Sequence, residues 1–354
     1  MGVKERLKSV DSLRRVVKRL KIHREYLHDA KFMSRHLLDG GRSTSHEQYR
    51  IMLVVHSLEK GMAHRSPRSF GATKAASLVK LLRAADYENH GSTAYAMGVS
   101  VLRSWREFHA ERADRDLNAY GIVDSFLNEV DTSELAISPA GVRAIADRDP
   151  QRWSGLPFAD FVSSRHSTRR YAATPVSDQV LDEAVGLAML SPSACNRQMV
   201  RVHMIDDPVG KRLLYNTLHG TGGVDYENCR IGVVTYDSRS LEFYGERNQG
   251  YLNAGLFAMT LIYALHWKGV GACLLQFGNT TAEERILVER LGLAPSERIA
   301  VGLSIGQLEA SDTVPASVRR TVAEVLRVDA AGSLGQGSSS TDGAAQSSLS
   351  IENR

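Results

Sequence analysis

Arg165-His166-Ser167-Thr168-Arg169-Arg170-Tyr171, with Pro175-Val176-Ser177 a few residues on, stands just past the point where the chain changes its pattern. Downstream, helical periods at 178–190, 209–218, 248–267, 283–291 and 317–327 alternate with short apolar, β-branched runs at 200–205, 231–236, 272–276 and 298–305. Runs of that length and composition are strands. Strands interleaved with helices give a layered α/β or α+β fold, and Ser177 is placed to cap the first of these helices. Upstream the pattern is helical only. Leu7, Val10, Leu13, Val17 and Leu20 recur three or four apart, the period of an amphipathic helix. The same patterning continues through 49–60, 73–86 and 95–109, with breaks at Gly40-Gly41, Ser66-Pro67 and Gly91.

Turn residues cluster at Ser138-Pro139-Ala140-Gly141 and Asp149-Pro150, which sets the expected boundaries. Residues 1–150 read as an all-helical domain, 151–328 as the sheet-containing domain, and 329–354 as a disordered tail. In that tail 15 of 26 residues are Ser, Gly or Ala, too little apolar surface to offset the entropy of ordering.

The charge is lopsided: of 44 basic and 40 acidic residues in the 354, residues 1–40 carry 11 and 5. A basic excess confined to one end gives no broad footprint for nucleic acid. The basic face of the first helix reads as solvated, with a peripheral membrane contact through residues 1–40 as the sharper alternative. Three cysteines without a C-x-x-C pair support neither a disulfide framework nor a metal site. No apolar run reaches the ~20 residues that span a bilayer. Residues 250–267, apolar around nearly the whole circumference, read as a buried central helix or a helix–helix interface. The charged start is unlike a signal core, so a cytoplasmic protein is expected. G-x-G-x-x-G after a strand, the P-loop, H-E-x-x-H and G-x-S-x-G are all missing from the sequence, and Gly220-Thr221-Gly222-Gly223 reads as a mobile loop.

The chemistry concentrates in four segments. Arg165 to Arg170 holds three guanidiniums, two hydroxyls and an imidazole, a donor set suited to a phosphate because the arginine fork binds oxyanions bidentately. Ser191-Pro192-Ser193-Ala194-Cys195-Asn196-Arg197-Gln198 is a helix-to-strand turn. Its small residues let a flat ring approach the backbone, and Asn196 and Gln198 offer amides to a heteroaromatic edge. The strand-and-loop Gly269 to Phe277 and the pair Arg319-Arg320 complete the set.

In this order and spacing the segments resemble the nitroreductase family of FMN-dependent oxidoreductases, over roughly 158–328. R-H-S-T-R-R-Y followed by P-V, and S-P-S-A-C-N-R-Q, are similar to that family's R-x-S-x-[RK] and P-S-x-x-N-x-Q signatures. W-K-G-V-G-A-C-L-L and E-R-I-A-V-G-L-S-I-G match its later landmarks. The resemblance implies an α+β, three-layer sandwich, a mixed sheet with helices on both faces, with FMN held at a homodimer interface. It implies that Arg165, His166 and Ser167 hold the FMN phosphate and ribityl chain, with help from Arg319 or Arg320. Arg169 is placed near the flavin N1–C2 carbonyl, where a cation stabilises the reduced form. Pro192, Ser193, Ala194 and Asn196 are placed against the partner's flavin, and the backbone of Gln276 and Phe277 beside N5. The implied reaction is ping-pong hydride transfer from NAD(P)H through N5 to a small-molecule acceptor.

The chain also departs from that pattern. Met199-Val200 follows Gln198 where the family commonly has Pro-Trp, and Asn228 and Arg230 are the nearest candidates for the pair that reads the flavin pyrimidine. Cys195 reads as small buried filling rather than a redox thiol. The helical half is foreign to minimal nitroreductases. His56-Ser57-Leu58-Glu59-Lys60-Gly61-Met62, with Glu246-Arg247-Asn248-Gln249, resembles a subgroup associated with bacterial surface-polysaccharide gene sets. His56 and Glu59 lie three apart on a helix, as a surface pair or as part of a lid. Two alternatives stand beside reductase chemistry: flavin-dependent dehydrogenation or oxygen-linked chemistry, and a non-catalytic scaffold in polysaccharide synthesis.

Overall fold

The computed structural model describes residues 3–37, 44–64, 68–85, 92–130, 140–145 and 150–328. The expected disordered tail lies outside them, as do the breaks at Gly40-Gly41, Ser66-Pro67 and Gly91. The helical half contains α1 (Val3–Leu37), α2 (Thr44–Ala63), α3 (Ala72–Ala84), α4 (Thr93–His109) and α5 (Leu117–Glu129). Ser92 caps α4 by accepting from the Tyr95 N–H, and Asp116 caps α5 through Ala119. Helical spacing gathers Ile51, Val55 and Leu58 of α2, Leu78 and Leu82 of α3, Leu102 and Trp105 of α4 and Val123 and Phe126 of α5 into one core. By contrast Leu13, Leu20 and Leu27 of α1 stay more than half exposed.

Residues 1–150 are not all helix. Val142–Ile145 forms β1, which pairs antiparallel with β6 (Asp312–Pro315), a partner 170 positions away that local periodicity has no means to announce. The remaining elements are α6 (Phe158–Ser164), α7 (Asp178–Ala188), β2 (Val200–Ile205), α8 (Pro208–Thr217), β3 (Arg230–Asp237), α9 (Gln249–Trp267), β4 (Val270–Leu275), α10 (Thr281–Arg290) and β5 (Glu297–Gln307). The four expected strands form one sheet in the order β2-β3-β5-β4. Every pairing in it is antiparallel, so the sheet is not mixed within one chain.

Helices cover both faces of that sheet. Leu181 and Ala184 of α7 and Ala254, Ala258, Leu261 and Leu265 of α9 pack against Val234, Leu303 and Ile305. On the other face Leu214 of α8 and Leu287 of α10 pack against Ile231, Val233, Cys273 and Ile299. In this α+β three-layer arrangement the loop that follows α8 reaches the segment 165–171, where the Asp225 N–H donates to the Arg169 carbonyl, and Gly220 of that loop meets the end of β4 at Gln276.

Met1–Val318 forms one compact unit and Arg319–Arg354 a second. Within the second, the helix expected over 317–327 is reduced to α11 (Val322–Val325). Ser317, with φ 50, already departs from helical backbone. Among the described residues no helix is long and apolar enough to cross a membrane.

Candidate functional site

The segment after α6 lies extended against the sheet. The Thr168 N–H donates to the Ala272 carbonyl at 3.1 Å and the Ala172 N–H to that of Gln307 at 2.9 Å. Tyr171 is the anchor. Its ring is buried, and its hydroxyl donates to the Thr168 carbonyl at 2.7 Å and lies 2.8 Å from the Ser304 hydroxyl. The ring fits because residue 306 is glycine: a Cβ there would meet it at 2.5 Å. Alternation along the extended chain then sends side chains two ways. Arg165, His166 and Thr168 line a small cleft with Trp153 and His266, while Ser167 and Arg169 face Lys60 and His64 of the helical half across a second one.

The three guanidiniums expected to act together do not. Arg170 is committed to Glu309 and Asp312, at 2.9 Å each, because those carboxylates flank the start of β6. Arg165 and His166 stay together, and Arg143 of β1 reaches the His166 Nδ1 at 3.0 Å. Arg169 is the uncommitted one. One of its terminal nitrogens lies 3.5 Å from the Ser167 carbonyl. Its Nε, like that of Arg170, is buried with no hydrogen-bond partner among the described residues, a costly state unless an acceptor completes it, but unlike Arg170 it has no carboxylate on its terminal nitrogens among those residues.

Helix α2 closes over Arg169. Partial burial, then the Arg169 charge, lowers the Lys60 ammonium below its ordinary range. Partial desolvation, followed by Arg169 and Lys60, holds the His56 imidazole down to about 4 although the ring keeps an exposed edge. Glu59 does not form a surface pair with it. Its carboxylate is buried and accepts from the Gly141 N–H at 3.1 Å, tying α2 to the start of β1. His56, Lys60 and His64 recur every four residues, one face of a helix, and that spacing was the available signal for the two residues that motif reading missed.

The glycine loop belongs to the same place. Gly220 takes φ 79, and a Cβ there would stand 3.2 Å from the Gln276 backbone nitrogen. The Asp225 N–H donates to the Arg169 carbonyl at 2.6 Å. Ser167, Arg169, Lys60, His64, Gly223 and the start of β6 therefore surround a space of about 20 Å³. That admits the edge of an anionic group, not a whole ring system. Gln276 is exposed at the end of β4, and Phe277 packs into the core beneath α8 and α10.

The turn after α7 is a separate construction. Cys195, Asn196 and Gln198 all have positive φ, at 50, 53 and 48. Three L-residues in that region within four positions store strain of the kind found at ligand sites. What holds the turn is Arg197, whose guanidinium makes a two-point ion pair with Glu246 at 2.7 and 2.8 Å and donates to the Ser240 carbonyl at 2.6 Å. Arg197, with the Glu242 N–H, draws the Glu246 carboxyl down to about 2. Pro192 and Ser193 line a groove of about 330 Å³ with Val200, Met204, Asn253 and Phe257. Ala194 is partly buried and Asn196 exposed.

Cys195 is exposed rather than buried filling, because its left-handed backbone turns it away from the core. Asn228 bonds to Asp225 at 2.8 Å, and Arg230 is paired with Asp206 and Asp178, so neither is available to a ring edge. Arg319 and Arg320 belong to the second compact unit.

Residues 162–222, from within α6 to the glycine loop, match the model of the Nitroreductase family. Among solved structures the chain is similar to a nitroreductase family protein of Streptococcus pneumoniae TIGR4, at 18% identity over 49% of this chain and 100% of that one, with a TM-score of 0.42. It is similar to an FMN-dependent nitroreductase of Clostridium difficile R20291, at 22% identity over 43% and 88%, with a TM-score of 0.37. It is also similar to a nitroreductase-type protein of Desulfovibrio desulfuricans in complex with FMN, at 22% identity over 49% and 98%, TM-score 0.42. No curated protein matches it.

Proposed function

We propose that the chain is an FMN-dependent oxidoreductase of the nitroreductase type that works as a homodimer. The observation that carries this is the buried, unpartnered Nε of Arg169, set in a basic wall inside the segment that matches the family model. A donor left unsatisfied in a cavity lined by Lys60 and Ser167 fits the electron-rich edge of a flavin, so the residues present suit the cofactor. When bound, FMN would supply a two-electron carrier that takes hydride from NAD(P)H and passes it to a small-molecule acceptor. Arg165 and His166, on one side of the extended segment, would hold the anionic tail by charge-assisted hydrogen bonds, and Ser167, on the other side with Arg169, the ribityl chain. Arg169 offers its free N–H to the ring edge. Pro192, Ser193, Ala194 and Asn196 form a preorganised wall for the partner's ring, kept in its strained shape by Arg197 and Glu246. The backbone at Gln276 and Phe277, which Gly220 approaches closely, borders the reacting side. These groups orient and exclude water, and no side chain is needed as a strong acid or base.

The helical half supports the finer assignment to the polysaccharide-associated subgroup, because its landmark His56 to Met62 carries the residues that face Arg169. The test is anaerobic: protein purified with added FMN should carry the flavin absorption bands and lose the visible one on addition of NADH or NADPH. Bound flavin that stays oxidised with both donors would leave a binding protein and remove the reductase assignment.

A further inference from the structure

We infer that helix α2 is part of the cofactor site, with Lys60 standing beside Arg169 as a second cation toward the ionised N1–C2 edge of reduced flavin. The inference rests on the FMN assignment above and adds to it a residue from outside the segment that matches the family model.

Lys60 and Arg169 line one cavity together with Ser167 and Gly223. The one carboxylate in that wall, Asp312, is taken by Arg170 at 2.9 Å. Among the described residues neither Lys60 nor Arg169 has an ion-pair partner, and two cations brought together while partly desolvated repel unless an anion joins them. A lysine on a solvated face would relieve this by swinging into water. Lys60 sits where the helix is fixed on both sides: Leu58 is buried in the helical core, and Glu59 is buried and bonded to the Gly141 N–H. The arrangement is therefore built for an anion that enters the cavity, and the space of about 20 Å³ suits the edge of one.

Two anionic parts of FMN could supply that edge, and they leave different signatures. The phosphate keeps its charge in both redox states, so a lysine on it strengthens oxidised and reduced FMN alike. The ring edge gains its charge only on reduction, so a lysine there strengthens the reduced form selectively and raises the potential. The experiment is the two-electron midpoint potential of bound FMN, with dissociation constants for both redox states, in wild type, Lys60→Met and Lys60→Arg. Matching thermal melts would establish that the variants fold. Lys60→Met should weaken reduced FMN about tenfold more than oxidised FMN, a potential lower by about 30 mV for a two-electron couple, and Lys60→Arg should restore most of it. Equal weakening of both states, or an unchanged potential, would overturn the inference while leaving the FMN assignment standing. A wild-type chain that takes up no FMN would instead defeat the assignment, and the inference with it.

Discussion

Tyr171 and Arg169 lie two positions apart and have opposite duties: one is fully satisfied and fixes the strand, the other is left with an unused donor. Replacing Tyr171 by Phe strands the Thr168 carbonyl and the Ser304 hydroxyl in the core. It should lower unfolding free energy by about 1–3 kcal/mol, read from urea denaturation. His109 gives the pH dependence. It is 1% exposed, its Nδ1 donates to the Trp105 carbonyl at 2.8 Å, and its Nε2 accepts from the Phe70 N–H at 3.2 Å, so the ring is neutral. Burial is the main reason its pKa lies below the ordinary 6.5. The unfolded imidazole therefore takes up a proton that the folded one refuses. Stability should hold above about pH 6.5 and fall as the pH drops below it, with His56, down at about 4, adding to the slope. Urea midpoints at pH 7.5 and 5.5 would check this, and His109→Gln should flatten the difference. The identity of these residues was legible in the sequence, but their state was not. Nothing local distinguishes Arg169 from Arg170, because the carboxylates that occupy Arg170 come from beyond β5.

The four strands of the sheet and the helices α7 to α10 packed on it were legible because each is a local pattern, and β2 falls on the very residues its apolar run marks; α6 was not marked, and the helix expected over 317–327 is only α11. The turn between α7 and β2 was legible only as a turn. Its three left-handed residues are Cys, Asn and Gln, not the glycines that announce such backbone, and they depend on an ion pair from Arg197 to a residue 49 positions on. Glu246→Gln should loosen this turn and raise the rate at which the exposed Cys195 reacts with a thiol reagent several-fold at pH 7. An unchanged rate would show that the turn holds itself. Because the Glu246 carboxyl sits at about 2 against an ordinary 4.5, its hold is complete above about pH 4.5 and is lost only as the pH falls through about 2. Gly306→Ala should cost about 1–3 kcal/mol, as overpacking against the Tyr171 ring, measured in the same denaturation series.

On the scale of the molecule, the helical half is joined to the sheet half by the β1–β6 pairing, by Arg143 on His166 and by α2 over Arg169. None of these was visible as a motif, since each joins separate elements, from 23 positions apart for Arg143 and His166 to about 170 for β1 and β6, and only the four-residue recurrence of His56, Lys60 and His64 hinted at a shared face. The family signatures pointed to the segment 165–171, while the approach of α2 to Arg169 is seen only in the fold. FMN uptake by that combined site is the decisive property. Titration of FMN into the flavin-free chain by isothermal calorimetry should give one FMN per protomer, with affinity at least tenfold weaker in Arg169→Met. Absence of binding, or full affinity in that variant, would contradict it.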